Sequence, residues 1–247
     1  MADGTLLGSY FFHDIIPWDD DIDIMVDYRD YPRLKKAFRN HSVWLKYNLY
    51  GYHDSFNEYE FDLLDDVYPD TDQVKTTKHK KQIILSNRTR FHKTKIFSTQ
   101  ANKFKNYPWR WPFIDVTFFK YNTTHFWNHD KIQYFMPIED FFPFHLRVFM
   151  GRWLPAPHKT GLFLKRKLDK LKNFHCKRGW WNHKTEENIK VKERVSVPCD
   201  SLNKVYVKIS RSEMKNGRTN ESAILDGKTL YSTYVHENLN EVKLGYK

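Results

Sequence analysis

Three aspartates, Asp19, Asp21 and Asp23, stand at alternating positions in the string PWDDDIDIMV. Side chains alternate across an extended chain. A strand that begins by Asp19 therefore sends all three carboxylates to one side, and Ile22, Ile24 and Val26 to the other. Carboxylates this close repel, and each raises its neighbours' pKa. A divalent cation is the natural counter-charge. Mg²⁺ and Mn²⁺ favour carboxylate oxygens and leave room for substrate phosphates. The competing reading is a solvated acidic turn after Pro17 and Trp18. Two features favour the cation. The acidic run passes directly into apolar Ile-Met-Val, and a second apolar stretch, FIDVTFF, carries Asp115 between Phe113, Ile114, Val116 and Phe118. An isolated carboxylate in such a strand is costly unless paired or metal-bound.

Upstream, Gly4-Thr5 and Gly8-Ser9 are small residues at the expected start of a helix. Free N–H groups and the helix dipole make such a terminus an anion site. A phosphate cradle, an Asp-x-Asp on a strand and a third carboxylate on a later strand form the layout of a nucleotidyltransferase fold. Other candidates carry two readings each. His13-Asp14 reads as a surface turn or a catalytic pair. Trp18, Trp111 and Pro112 read as core packing or as a wall for a base or sugar. Lys103 and Lys105 read as solvated lysines or phosphate contacts.

The elements that must position these groups follow from patterning. Residues 20–26 and 113–119 read as strands. Asp30 and Pro32 announce a helix with Leu34, Ala37 and Phe38 on one face. Residues 45–68 read as strand and turn, with an acidic stretch from Asp62 to Asp66. Residues 160–171 read as an amphipathic helix capped by Thr160, with Leu164, Leu168 and Leu171 on one face. Beyond residue 173 the periodicity weakens, with short strand-like pieces such as KVYVKI. The expectation is an α/β (α+β) domain over 1–172, a mixed sheet flanked by helices, followed by a less regular extension over 173–247.

Composition agrees. Of 247 residues 40 % are hydrophobic, with 19 Phe, 15 Tyr and 8 Trp, which excludes a wholly disordered chain. No apolar run approaches the roughly 18–20 residues of a membrane span, and no cleavable signal peptide opens the chain. The formal charge of +11 is unevenly spread. Residues 1–70 hold 15 acidic and 6 basic residues, whereas residues 75–105 hold ten Lys/Arg and no acid. An acidic cluster facing a phosphate-binding surface fits this division. No nucleic-acid-binding module is recognisable, and nucleic acid is not an expected partner. Cys176 and Cys199 allow a disulfide, two free thiols, or a zinc site with His183. Three sequons occur, at Asn87, Asn122 and Asn220, about as many as chance supplies.

GTLLGSY, IIPWDDDIDI and WPFIDVTFF together resemble the LicD/fukutin family, which includes fukutin-related proteins. The resemblance covers residues 4–172 well and the tail, around WWNHKTEE and VPCDSL, less closely. It implies a nucleotidyltransferase-like fold. It also implies transfer of a phospho-alditol or phosphocholine group from a CDP-activated donor (CDP-ribitol, CDP-glycerol or CDP-choline) to a glycan or glycoprotein hydroxyl. Asp19, Asp21 and Asp23 match the family's metal motif and Asp115 its later carboxylate, for Mg²⁺ or Mn²⁺. Gly4, Thr5, Gly8 and Ser9 would support the donor phosphates. The family's eukaryotic members are mostly anchored lumenal enzymes, so the expected location is the Golgi or secretory lumen; homo-oligomers are compatible with this. Two departures stand out. Phe11 occupies a position where the family usually has Arg, and the family's first strand, expected just upstream of Gly4, is not in this sequence. A catalytically degenerate member that binds anionic glycans or a partner enzyme is the alternative. An Asp-x-Asp nucleotide-sugar glycosyltransferase fits less well, since only about twenty residues precede the motif.

Overall fold

A computed structural model describes residues 1–39, 49–54, 93–105, 107, 109–128, 135–167, 175–178, 181–214 and 218–236. Helix α1 spans Asp3–Phe12 and strand β1 Ile22–Asp27. A short 3-10 turn, Tyr28–Asp30, leads into α2, Tyr31–Arg39. Asp27 opens that turn by accepting the Arg29 N–H, and Pro32 sits in the first turn of α2, where a missing N–H costs nothing. Strands β2 (Leu49–Asp54), β3 (Lys93–Lys103), β4 (Arg110–Tyr121), β5 (His125–Asn128) and β6 (Phe135–Pro137) form an antiparallel path in that order. β1 joins the same sheet by pairing in parallel with β4, Ile22 opposite Ile114 through Asp27 opposite Phe119. The result is a mixed sheet flanked by helices, as the strand signals at 20–26 and 113–119 predict. β3, β5 and β6 were not legible: β3 and β5 mix Lys, Thr, Asn and His with aromatics without clean alternation, and β6 is only Phe-Met-Pro.

Short helix α3 (Ile138–Phe141) and hairpin β7 (His145–Phe149) with β8 (Arg152–Ala156) lead to α4 (Thr160–Lys167). Leu164 is fully buried, as expected for α4. Leu168 and Leu171 lie outside the described residues, as do Asp62–Asp66 and the sequon at Asn87. The Thr160 hydroxyl donates to the Pro157 carbonyl, fastening the helix entrance.

α1 is the centre of the molecule. Leu6, Tyr10, Phe11 and Phe12 pack with Phe119, Phe126, Phe141, Phe163 and Leu164 in one core. Gly8 lets the chain after the helix return tightly: a Cβ there would lie 2.3 Å from the Asp14 carbonyl oxygen. His13 closes the helix in the left-handed region, its N–H donating to Ser9 O.

The C-terminal residues share this core. β9 (His175–Lys177) pairs with β12 (Ser196–Pro198), and Cys176 and Cys199 are bridged beside Val197, Leu202 and Tyr206. Of the alternatives open in the sequence, the disulfide is the one the structure takes. Between them, β10 (Trp181–Asn182) and β11 (Glu187–Asn188) make a small hairpin. KVYVKI is strand only from Lys208. The Val205 and Tyr206 N–H groups donate to Leu202 O, so its first half is a hydrogen-bonded turn. Antiparallel β13 (Lys208–Glu213), β14 (Thr219–Leu225) and β15 (Lys228–Val235) follow.

β14 delivers Glu221, fully buried, to the end of α1. Arg147 on β7 and Arg211 on β13 both donate to Glu221 Oε1, the latter at 2.8 Å, and His13 Nε2 lies 2.8 Å from Oε2. The Arg211 guanidinium lies 3.7 Å from the Tyr10 ring centre. His13 is thus neither a surface turn nor half of a catalytic pair with Asp14; the C-terminal sheet covers it. Burial pushes the Glu221 carboxyl up, but the two guanidiniums and the His13 bond outweigh it and hold it far below the ordinary range.

A depressed carboxyl adds stability above its unfolded pKa, near 4.5, and loses it as pH falls through the lower folded value. Glu221→Gln should cost roughly 3–5 kcal/mol at neutral pH, because two buried guanidiniums lose their counter-charge. Urea melts should show this loss at pH 7 and a smaller difference from wild type near pH 3.

Candidate active site

The parallel pairing of β1 and β4 sets Asp23 directly opposite Asp115. Cross-strand partners point to the same face of a sheet, so this register alone joins two carboxylates from distant parts of the chain. Asp21 lies just before β1, and Asp19 sits in the preceding turn, its N–H donating to Ile16 O. The start of α1 approaches from the other side. Gly4 N–H donates to Asp23 Oδ2 at 3.2 Å, and the Thr5 hydroxyl accepts the Asp23 N–H at 2.7 Å. A Cβ on Gly4 would lie 2.5 Å from Asp19 Oδ2, so glycine is what allows helix and carboxylate to meet. All four aspartates line one cavity of about 760 Å³.

One oxygen from each of Asp21, Asp23 and Asp115 lies within 4.8 Å of the others. Asp21 is only 7 % exposed. Burial, with repulsion from Asp19 and Asp115, raises its pKa to about 7 against the opposing pull of His183. Burial, then Asp23 and Asp20, raise Asp19 to about 6. Converging hard oxygen donors, one of them nearly buried, fit a divalent cation. Asp21, Asp23 and Asp115 are the residues that would hold it.

The opposite wall carries groups not singled out from the sequence. Lys95 on β3, 8 % exposed, donates to Asp115 Oδ1 at 2.6 Å and lies 3.5 Å from the Phe113 ring centre. It belongs to the basic stretch 75–105, but only β3–β4 register, Lys95 opposite Asp115, distinguishes it from its neighbours. Lys103 and Lys105 are exposed and do not line the cavity. Tyr107, Trp109 and Trp181 form an aromatic side, and both indole N–H groups donate to Glu186, Trp109 at 3.1 Å and Trp181 at 3.3 Å. Trp111 instead donates to Asp20 O and holds the loop before β1 in place. Trp18 is exposed, away from the cavity lining.

Of the expected phosphate cradle only Gly4 lines the cavity. Thr5 braces the β1 backbone. Gly8 is a helix-packing position, and Ser9 is buried with its hydroxyl donating to Val148 O. The reason is helical geometry: Gly8 and Ser9 lie one turn past the open N-terminus, where backbone N–H groups are already paired. Phe11, in the place of the family's usual Arg, is buried in the core and does not face the cavity.

The family model for the LicD/FKTN/FKRP nucleotidyltransferase domain matches residues 1–59 and 57–159. The chain belongs to this family. No curated protein and no solved structure gave a match. LicD membership makes the chain a member of a nucleotidyltransferase-like phosphotransferase family, whose donor is a nucleotide-activated compound. The mixed sheet with β1 parallel to β4 accords with that assignment. The match ends before the hairpin that brings Trp181, His183 and Glu186 to the cavity, and the looser resemblance around WWNHKTEE assigns these three no role.

A carboxyl whose folded pKa is raised above its unfolded 3.8 stabilises fully below that value and loses the contribution as pH rises through the folded value. Chelator-treated protein should therefore lose stability between about pH 4 and pH 7. Asp21→Asn should remove most of that slope, gaining on the order of 2 kcal/mol at pH 8 after allowance for relaxation and solvent screening. Thermal melts across pH with and without chelator measure it.

Proposed function

We propose that this chain transfers a phospho-alditol or phosphocholine group from a CDP-activated donor to a glycan hydroxyl, with Mg²⁺ or Mn²⁺ as cofactor. The observation that carries the reading is the convergence of Asp21, Asp23 and Asp115 in a cavity that also holds a buried lysine. A cation bound there neutralises phosphate charge and aligns the donor for in-line displacement. In the reaction the acceptor oxygen bonds to the distal phosphorus, the pyrophosphate P–O bond breaks, and CMP leaves with the bridging oxygen. Lys95 supplies a fixed positive charge for the donor phosphates. Asp19 stands outside the ligand trio and its pKa, raised to about 6, suits it to take the proton of the attacking hydroxyl. Tyr107, Trp109 and Trp181 offer a stacking wall for cytosine or sugar. The Cys176–Cys199 bridge supports a secretory-pathway lumen, where disulfides persist.

One observation favours a second reading. The Lys95–Asp115 ion pair satisfies part of the cluster without any metal, which would suit a non-catalytic binder of anionic glycans. Donor screening separates the two. CMP release from CDP-ribitol, CDP-glycerol or CDP-choline should appear with Mn²⁺ or Mg²⁺ and vanish with chelator. Asp21→Ala and Asp115→Ala should each reduce it to background. Lys95→Met should lower kcat/KM for the donor by about 10–100-fold, the worth of a charge-assisted phosphate contact. Normal turnover in Asp21→Ala, or silence with all three donors, removes the transferase reading.

A further inference from the structure

The hairpin beyond the family match places an imidazole against the carboxylate cluster. Asp20 accepts from both the main chain and the ring of His183: Oδ2 takes the backbone N–H at 3.0 Å, and Oδ1 lies 2.7 Å from Nδ1. The Phe113 ring meets the imidazole edge-on at 5.7 Å. With Nδ1–H held by Asp20, the ring's remaining lone pair is on Nε2. That atom lies 3.4 Å from Asp21 Oδ2, and His183 lines the cavity. Donor atoms on adjacent positions of one ion, each about 2.1 Å from it, stand about 3 Å apart. A carboxylate on one ring nitrogen with the other turned to a ligand set is the arrangement that fixes metal-binding histidines. Asp20, Asp21 and His183 accordingly form a second trio whose ligand atoms lie within 4.8 Å, sharing Asp21 with the first.

We infer that His183 Nε2 is a metal ligand beside Asp21, oriented by Asp20, so that the centre is mixed nitrogen–oxygen and prefers a transition ion such as Mn²⁺ to Mg²⁺. Imidazole suits transition ions, whereas Mg²⁺ is served by oxygen donors. The inference rests on the cation site of the proposed function. It adds a residue beyond the stretch that the family model matches. The competing role is a protonated imidazole wedged between Asp20 and Asp21 as a fixed positive charge. The two roles differ in sign: removing a ligand weakens Mn²⁺ binding, whereas removing a positive charge strengthens binding of any cation.

The test uses the full chain, stripped with chelator and titrated with Mn²⁺ under electron paramagnetic resonance, with Mg²⁺ as competitor. Wild-type protein should bind Mn²⁺ more tightly than Mg²⁺, and electron spin-echo modulation should show ¹⁴N coupling to the bound ion. His183→Ala should lose that coupling and about 10–100-fold in Mn²⁺ affinity, with Mg²⁺ affinity changed by less than about threefold. Asp21→Ala should lose both ions. The wild-type ¹⁴N signal needs no variant, so a folding defect in His183→Ala does not blunt the test. Mn²⁺ bound without ¹⁴N coupling, or unchanged or tighter Mn²⁺ binding in His183→Ala while Asp21→Ala fails to bind, overturns the ligand role and leaves the carboxylate centre standing. A wild-type chain that binds neither ion overturns this inference and the proposed function together.

Discussion

Carboxylates in a buried cavity repel one another, and much of this structure serves to hold them together regardless. Asp23 and Asp115 are adjacent because β1 and β4 run parallel in one register. A shift by a single residue would turn one of them to the other face. Asp23 is secured on both sides by the first turn of α1, through the Gly4 N–H and the Thr5 hydroxyl. Two further elements bring partners to the cluster, the Lys95 ammonium on β3 and the His183 imidazole on the β10–β11 hairpin. Of these, His183 opposes the raised pKa values of Asp19 and Asp21 without abolishing them. The residual imbalance is what a cation-binding site requires: a cluster fully satisfied by its own protein would have no affinity left for an ion.

The placement of α1 depends in turn on the far end of the chain. Its C-terminal residues, Tyr10 and His13, are held by Arg211 and Glu221 from β13 and β14. Its hydrophobic face shares a core with the Cys176–Cys199 bridge. The tail is therefore joined to the helix that braces the carboxylates, and it also supplies one side of the cavity. A buried Glu with two Arg partners is a poor source of net stability compared with an apolar core, because each charge was taken out of water. Its geometry is directional, however, and the three β strands and hairpin that meet there can dock in one way only.

The central strands and the acidic motif were legible because their signals are local. Alternation at Asp19, Asp21 and Asp23, and the lone Asp115 among apolar neighbours, report burial and charge within a few residues. The helix starts at Pro32 and Thr160 were legible for the same reason. Groups that reach the cavity through long-range register were not. Lys95 is one of ten cations in its stretch, and only its pairing opposite Asp115 gives it a role. His183, Trp181 and Glu186 come from a hairpin whose strands are two residues each, with no periodicity to read. Gly8 and Ser9 mislead for an instructive reason: small residues one turn apart suit a phosphate cradle and close helix packing equally well, and sequence does not say which end of the helix is open. Phe11 likewise looked like a lost cationic contact and is a core residue.

Charge balance bears on how such a site could accept a donor. Five aspartates and Glu186 line the cavity against one lysine and one histidine. A diphosphate entering that space alone would add negative charge to an existing excess, which already adds to burial in raising Asp21 to a pKa of about 7. At the few ångströms involved, a single like-charge pair costs on the order of 4 kcal/mol at an effective dielectric of 20. The aromatic side, Tyr107, Trp109 and Trp181, supplies stacking on the order of 1–3 kcal/mol for a base and cannot offset several such pairs. Positive charge must therefore precede the donor or arrive with it. The same arithmetic explains why Lys95 sits on Asp115 rather than pointing to solvent: among the described residues it is the ammonium nearest the cluster, and it keeps the cavity from being wholly anionic before any ligand arrives.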